Sequence, residues 1–276
     1  SIRLSTLGLV WIPRVSGTTA DLNSVAFVDS MRGWICGMNG TLLRTTNGGT
    51  TWEPQASGTT DHLYGITFSR RRIGIAVGAN GRIFRSTDNG SSWLSVPSGS
   101  TRYLVGVAFN AEQKVFVAGA NGTIIMSENE GESWQVIPTT QYNTLRVISF
   151  KDSLHGAIAG GDGPFGGGGP FILKTTDGGA TWVPKSRGMD FYAWYSIAYL
   201  TDSVLVTTGT YRFTFGISSA IARSSNGGED WQNAFGFSSC SGSVHDQCWI
   251  AVLNCNTWQC FACLAYGCFV GNCPCW

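Results

Sequence analysis

The chain of 276 residues carries 18 basic and 17 acidic side chains, a net charge of +1 that gives no field to draw it onto nucleic acid or anionic lipid. Only 13% of residues are charged, while 37 Gly and 11 Trp favour short strands and tight turns over amphipathic helices. No run of 18 apolar residues occurs, so no membrane-spanning helix is expected, and Ser1 without a following leader suits a mature chain that has lost a targeting peptide.

In chain order, residues around Val10 to Val15, including Trp11, read as a lone strand followed by Ser16-Gly17-Thr18-Thr19. Five longer units come next, at Leu22 to Gln55, Leu63 to Val96, Leu104 to Ile137, Leu145 to Pro184 and Tyr195 to Ala234. Each contains one copy of a phrase. The copies are Thr45-Thr46-Asn47-Gly48-Gly49-Thr50-Thr51-Trp52, Ser86-Thr87-Asp88-Asn89-Gly90-Ser91-Ser92-Trp93, Ser127 to Trp134, Thr175 to Trp182 and Ser224 to Trp231. Their tryptophans are spaced by 41, 41, 48 and 49 residues. The second unit shows the internal pattern best, with short strands at Leu63 to Phe68, Ile73 to Val77, Arg82 to Arg85 and Trp93 to Val96. Asn39-Gly40, Asn80-Gly81 and Asn121-Gly122 fall between second and third strands, where a two-residue turn needs positive φ at both central positions. A period near 40 with four strands per unit is that of a β-propeller blade.

The fourth and fifth units carry insertions between second and third strands, Gly160 to Pro170 and Gly209 to Ser219. The first lacks the Gly-Lys-Ser/Thr ending of a phosphate loop, so both read as contact loops anchored by Phe165, Phe171, Tyr211, Phe213 and Phe215. Beyond residue 237, Ala251 to Asn254, Gln259 to Ala265 and Gly267 to Val270 mirror the first three strands of the third unit but are followed by no copy of the phrase. The expectation is one all-β domain over 1–276, a propeller of six four-stranded blades. Residues 1–16 supply a closing strand, 22–237 five blades, and 238–276 the Cys-rich strands of the last. The alternative is that the N-terminal strand completes the last blade of a neighbouring copy.

The phrase resembles the Asp-box, or BNR repeat, of sialidases, sortilin-like receptors and photosystem II assembly-factor propellers. Its wording is nearest to the last of these in Arg44-Thr45-Thr46-Asn47-Gly48-Gly49-Thr50-Thr51-Trp52. The resemblance implies a turn between third and fourth strands in which the Asp ties down backbone amides and the Trp packs under the neighbouring blade. Asp88 and Asp177 keep the acid, and Asn47, Asn129 and Asn226 replace it with a group that makes similar bonds. With Trp52, Trp93, Trp134, Trp182 and Trp231 they are expected to be architecture, not chemistry.

Eight of nine cysteines, Cys240, Cys248, Cys255, Cys260, Cys263, Cys268, Cys273 and Cys275, lie in the tail and suggest a blade stapled by disulfides in an oxidising compartment, with zinc and an appended EGF-like module as lesser readings. The ninth, Cys36, reads as a small buried hydrophobe. Sequons at Asn39, Asn89 and Asn121 make these three residues glycosylation candidates.

No catalytic or metal site is expected. The arginine triad, Tyr-Glu pair and proton donor that a sialidase resemblance would require are missing as a set, five of the six glutamates (Glu53, Glu128, Glu130, Glu132 and Glu229) lie in or beside the boxes, and His62, His155 and His245 are scattered. A cation precedes four of the boxes, Arg44, Arg85, Lys174 and Arg223, with Met126 the exception. They form either a basic contact array or a set of local pairs. Low charge, the tail and the sequons point first to a secreted, non-enzymatic structural protein that assembles with itself into a coat or filament. The repeat phrase points instead to an assembly-factor-like propeller in a thylakoid lumen, since such factors use arginine-rich surfaces to hold a membrane-protein intermediate. A glycan-binding propeller is third. No cofactor is expected, and the partner is another copy or another protein.

Overall fold

The computed structural model describes residues 13–161, 171–185, 191–213 and 216–236, and they form five four-stranded antiparallel sheets, each with its strands in sequence order. Blade 1 is β1 (Leu22–Phe27), β2 (Gly33–Gly37), β3 (Leu42–Thr45) and β4 (Glu53–Pro54). Blade 2 is β5 (Leu63–Phe68), β6 (Gly74–Gly78), β7 (Ile83–Ser86) and β8 (Leu94–Val96). Blade 3 is β9 (Leu104–Phe109), β10 (Val115–Gly119), β11 (Ile124–Ser127) and β12 (Gln135–Ile137). Blade 4 is β13 (Leu145–Phe150), β14 (Gly156–Gly160), β15 (Phe171–Thr175) and β16 (Val183–Pro184). Blade 5 is β17 (Phe191–Tyr199), β18 (Leu205–Phe213), β19 (Gly216–Ser224) and β20 (Gln232–Gly236).

The first strands pack in succession, β1 on β5, β5 on β9, β9 on β13 and β13 on β17, so they are the innermost strands of a propeller. The second strands read as unbroken apolar runs, such as Ile75-Ala76-Val77 and Ala157-Ile158-Ala159, because each blade is covered on both faces by its neighbours. The outermost strands face water, with Leu94 71% and Val136 61% exposed. Four seams of buried side chains join the five blades, for example Trp34, Cys36 and Leu42 of blade 1 against Ile66, Ala76, Phe84 and Trp93 of blade 2.

Two ends of the propeller are distinct. At the turn face lie the β2–β3 type turns and the loops between blades. Asn39, Asn80 and Asn121 have φ of 55°, 55° and 54°, and each following glycine is also positive, as the two-residue reading required. A Cβ on Gly81 would collide with the Ser100 carbonyl of the next loop, which fixes glycine there. At the box face lie the hairpins after each first strand and the five box turns, joined by bonds such as Gly48 N–H to the Met31 carbonyl at 2.8 Å and Gly178 N–H to that of Leu154 at 2.9 Å.

The sequence reading is corrected in three places. Among the described residues there are five blades, not the expected six. Of the closing segment 1–16 only residues 13–16 are described, and they form no strand; residues 238–276 lie outside the described residues. The supposed loop Gly209 to Ser219 is instead a prolonged hairpin. Its strands pair from Leu205↔Ser224 out to Phe213↔Gly216, as its run of Thr and aromatic residues favours. Blade 5 also starts at Phe191, four residues before the expected Tyr195. The flank of blade 1 away from blade 2 is open among the described residues. Leu22 is 40% exposed there, whereas the equivalent Leu63 is 1% and Leu104 and Leu145 are 0% exposed.

The seams predict which glycines matter. Gly90 has φ +70° and its missing Cβ would overlap the Trp34 indole, so Gly90→Ala should destabilise by about 2–4 kcal/mol from overpacking and backbone strain together. Gly99, with φ +74° and nothing within 4 Å, carries only the backbone term of about 1 kcal/mol when changed to Ala. Urea unfolding of both variants checks the difference.

Candidate functional site

Each box turn is held by one hydroxyl and one Asx oxygen. In blade 2 the Ser86 hydroxyl donates to Asp88 Oδ1 (2.8 Å) and accepts from Gly90 N–H (2.8 Å), while Oδ1 also accepts from Ser91 and Ser92 N–H (3.0 and 2.9 Å). The Ser92 hydroxyl closes the turn on Oδ2 at 2.6 Å. In blade 1 the amide of Asn47 does the same work, its Oδ1 accepting from Thr51 N–H (3.0 Å) and its Nδ2 donating to the Thr51 hydroxyl (2.9 Å). Asn129 repeats this with Ser133, and Asn226 bonds Asp230. The hydrogen bond from the Ser92 hydroxyl, opposed by partial burial, holds the Asp88 carboxyl at about 2; at Asp177 burial pushes upward but the Thr181 bonds outweigh it, again giving about 2.

The box tryptophans stand edge-on to a phenylalanine of their own blade, Trp52 on Phe27 (6.0 Å), Trp93 on Phe68 (5.9 Å) and Trp182 on Phe150 (5.9 Å). The preceding blade completes the stack with Trp34 on Phe68 (4.3 Å) and Phe116 on Phe150 (4.7 Å). Trp182 and Trp231 donate Nε1–H to the carbonyls of Gly179 and Gly228, both at 3.2 Å.

The cations before the boxes cross the seams. Arg85 donates to the Glu130 carbonyl (2.8 Å) and to Glu132 (3.2 Å) of blade 3, and Lys174 reaches Glu229 of blade 5 at 2.6 Å. Arg44 stacks on Trp34 (5.6 Å) and approaches Ser91 of blade 2 at 3.5 Å. Met126 has Ala180 at the corresponding place, so the exception in the cations is matched by a missing anion in the next box. Arg223 is exposed at the end of blade 5.

Among the other candidates, Phe171 is 5% exposed and packs with Ile158 and Leu173. Tyr211 and Phe213 are backbone partners in the long hairpin, their side chains outside the described residues, as are Phe165 and the eight tail cysteines. Cys36 is fully buried and unbridged, its thiol pushed far above the usual range by that burial. Asn39 and Asn121 are exposed in their turns, and Asn89 is half-buried with φ 59°. Among the described residues no group of three His, Cys, Asp or Glu gathers as a metal site, and no helix is long and apolar enough to cross a membrane.

Two features went unread in the sequence. On the box face, the hairpins of blades 1, 3 and 4 are pinned by Asp29, Asn110 and Asp152, each accepting two backbone N–H bonds. In blade 2 the Ser69 hydroxyl takes that place, bonding Arg71 and Ile73 N–H (3.2 and 3.1 Å). Arg70, Arg71 and Arg72 therefore stand exposed beside a neutral pin, with Arg72 at φ 65° and, among the described residues, only the carboxylate of Glu130 near, 3.8 Å from Arg71. Three consecutive arginines among 18 basic residues was the available signal. On the turn face, the second residue of each inner strand is a bulge. Asn23, Tyr64 and Arg146 are skipped by their ladders, Val105 by its own, and Tyr195 by a second bulge in β17. No sequence pattern marks these.

The family model for Photosynthesis system II assembly factor YCF48 matches residues 9–101, and no curated protein matches the chain. A solved structure of "YCF48 bound to D1 peptide" is 21% identical over 83% of this chain and 88% of that one, with a TM-score of 0.56. YCF48 from Cyanidioschyzon merolae is 18% identical over 78% and 85%, with a TM-score of 0.53. The GH74 xyloglucanase of Xanthomonas campestris is 17% identical over 78% of this chain, with a TM-score of 0.64, but the chain spans only 38% of that enzyme. The chain is thus an Asp-box propeller that resembles YCF48.

The box geometry predicts the acid response. Asp88 and Asp177 sit below the unfolded value of about 3.9, so their stabilisation is complete above that pH and is lost as pH falls toward about 2. Asp88→Asn with Asp177→Asn, copying the three natural Asn boxes, should leave stability at pH 7 within about 0.5 kcal/mol and flatten its decline between pH 4 and 2. Asp88→Ala should cost about 1–2 kcal/mol at pH 7 by orphaning two N–H groups. Urea midpoints across pH read both.

Proposed function

We propose that this chain is a non-enzymatic, client-binding propeller of the photosystem II assembly-factor type, working in a thylakoid lumen on a membrane-protein intermediate. The observation that carries this reading is the basic hairpin Arg70-Arg71-Arg72. It offers three exposed guanidinium groups, of which only Arg71 has an acidic neighbour among the described residues, Glu130 at 3.8 Å, while Arg85 and Lys174 are engaged by neighbouring boxes. Guanidinium groups suit bidentate capture of carboxylates on a protein partner. The family match and the D1 peptide bound by a similarly folded propeller support a polypeptide client.

Against catalysis, Glu53, Glu112, Glu128, Glu130, Glu132 and Glu229 all stand toward the box face. The described carboxylates at the turn face are Asp21 and Asp61, the latter held by Arg82 (2.8 Å) and Asn80 (3.0 Å). That set offers no opposed pair for glycoside hydrolysis. The reading as a secreted, glycosylated or self-assembling coat subunit rests on cysteines outside the described residues, and nothing described favours it.

We also propose that the exposed flank of blade 1 is covered by the chain's own residues 238–276 with 1–12, the tail held by disulfides. Leu22, exposed where its counterparts are buried, supports this. Leu22→Asp should then destabilise by about 2–3 kcal/mol, against about 0.5 or less for a flank open to water.

The client reading is tested by binding of a D1 peptide to the full chain. Arg70→Glu with Arg71→Glu and Arg72→Glu should weaken it at least tenfold and lessen its salt dependence. Unchanged affinity at low salt would sink the reading.

A further inference from the structure

The residue after the Asx of each box passes through the left-handed region in all five blades. Gly48, Asn89, Glu130, Gly178 and Gly227 have φ of 69°, 59°, 53°, 75° and 72°. Three blades use glycine, which meets no steric cost there, and blade 2 uses Asn, the side chain that tolerates the conformation best. Blade 3 alone sets a charged side chain at this place. Glu130 is also poorly accommodated: its Oε1 is buried and accepts no hydrogen bond among the described residues, and its Oε2 lies 3.8 Å from Arg71, too far for one. Left-handed backbone and an unmet buried carboxylate oxygen both cost stability, so the repeat gives no reason for Glu130.

The charges about this seam come from both blades, and the chain is described without a break through the two of them. Arg85 of blade 2 is taken by the Glu130 carbonyl (2.8 Å) and by Glu132 (3.2 Å). Lys114 of the β9–β10 hairpin is taken by Glu128 (3.2 Å) and Glu112 (3.9 Å). That leaves the Glu130 carboxylate with Arg71 of the arginine hairpin, whose side chain is 75% exposed. The backbones of the two hairpins are fixed to each other, because the Arg70 N–H donates to Gln113 Oε1 at 2.9 Å. A loosely paired, exposed guanidinium on a fixed backbone can turn from this internal anion to an external one without moving the fold.

We propose that Glu130 is an internal competitor for the arginine hairpin, an anion of the protein's own that a client carboxylate displaces from Arg71. The inference rests on the client-binding reading and deepens it, since Glu130 then sets how tightly the hairpin holds an acidic peptide. Between clients it occupies Arg71 and offsets part of the repulsion among the three arginines. When a client leaves, the same carboxylate takes its place, which favours release. The pair is exposed and long, so its effect on affinity is a few-fold, enough to tune binding without abolishing it.

The test uses the full chain at low salt and a fluorescein-labelled Gly/Ser peptide carrying three Glu. Glu130→Gln, which keeps the size of the side chain, and Glu130→Gly, which restores the commoner residue of the repeat, should each tighten binding about threefold to fivefold. The melting temperature should stay level for Glu130→Gln and stay level or rise for Glu130→Gly, whereas a carboxylate with a merely structural role would lower it in both. In an Arg71→Met background the gain from Glu130→Gln should disappear, because nothing is left to compete for. Unchanged or weaker binding by Glu130→Gln, an equal gain in the Arg71→Met background, or no binding of the peptide to any form overturns the proposal. Loss of D1-peptide binding in the triple Arg70, Arg71 and Arg72 reversal with no gain from Glu130→Gln fails the competitor alone, while D1-peptide binding that survives the reversal fails the client reading itself.

Discussion

The fold depends on a glycine that has no side chain where two blades meet. In each box turn the hydroxyl and the Asx oxygen satisfy the backbone from within, which lets the chain pass through a left-handed glycine and leaves a notch at its Cα. The preceding blade fills the notch: the Trp34 indole at Gly90, Ile75 at Gly131, Phe116 at Gly179. At the last described seam the filling residue would be the small Ala157, and the stem of Lys174 lies against Gly228 instead, with its Cδ 3.2 Å from where a Cβ would stand. Steric fit and charge are therefore solved together, because a long cation can close the gap with methylenes while its head meets Glu229.

That coupling explains why the cations do not make a free array. Arg85 meets Glu132, Lys174 meets Glu229 and Met126 meets Ala180 at the same box position, so at three of the four seams the charge of one blade tracks that of the next, whereas Arg44 meets Ser91 and stacks on Trp34. Such pairs are half-exposed and individually weak. Their arrangement nonetheless favours the observed order of blades 2 to 5, since exchanging blades there would set an acid against Met126.

How much was legible in the sequence follows from what repeats. Boxes, Asn-Gly turns and the strands of the first four blades recur five, three and four times, and each recurrence carries its own local physics, so boundaries in blade 2 came within a residue or two. What occurs once was harder. The prolonged hairpin of blade 5 reads in sequence as an inserted loop over Gly209 to Ser219, although Thr207, Thr208, Thr210 and Tyr211 favour strand. The bulge that sets Arg146 has no composition at all. It arises from register between two strands, and its partner carbonyl at Gly161 lies 15 residues on.

The same repetition then serves as a filter for function. A side chain found at every equivalent position is explained by the blade, whereas one that departs from its four counterparts without a packing reason asks for another cause. Trp34 departs from Ile75 and Phe116 but fills its notch, so it is explained. Arg70, Arg71 and Arg72 replace an acid-pinned turn with a serine-pinned one and add mutual repulsion that the hairpin does not need, and Arg146 takes a rim position where the fold accepts valine. Like charges placed side by side weaken a fold unless a partner relieves them, and among the described residues the three consecutive arginines have only Glu130, at 3.8 Å from Arg71. The two departures lie on opposite faces of the propeller, so no one packing constraint of the blade accounts for both.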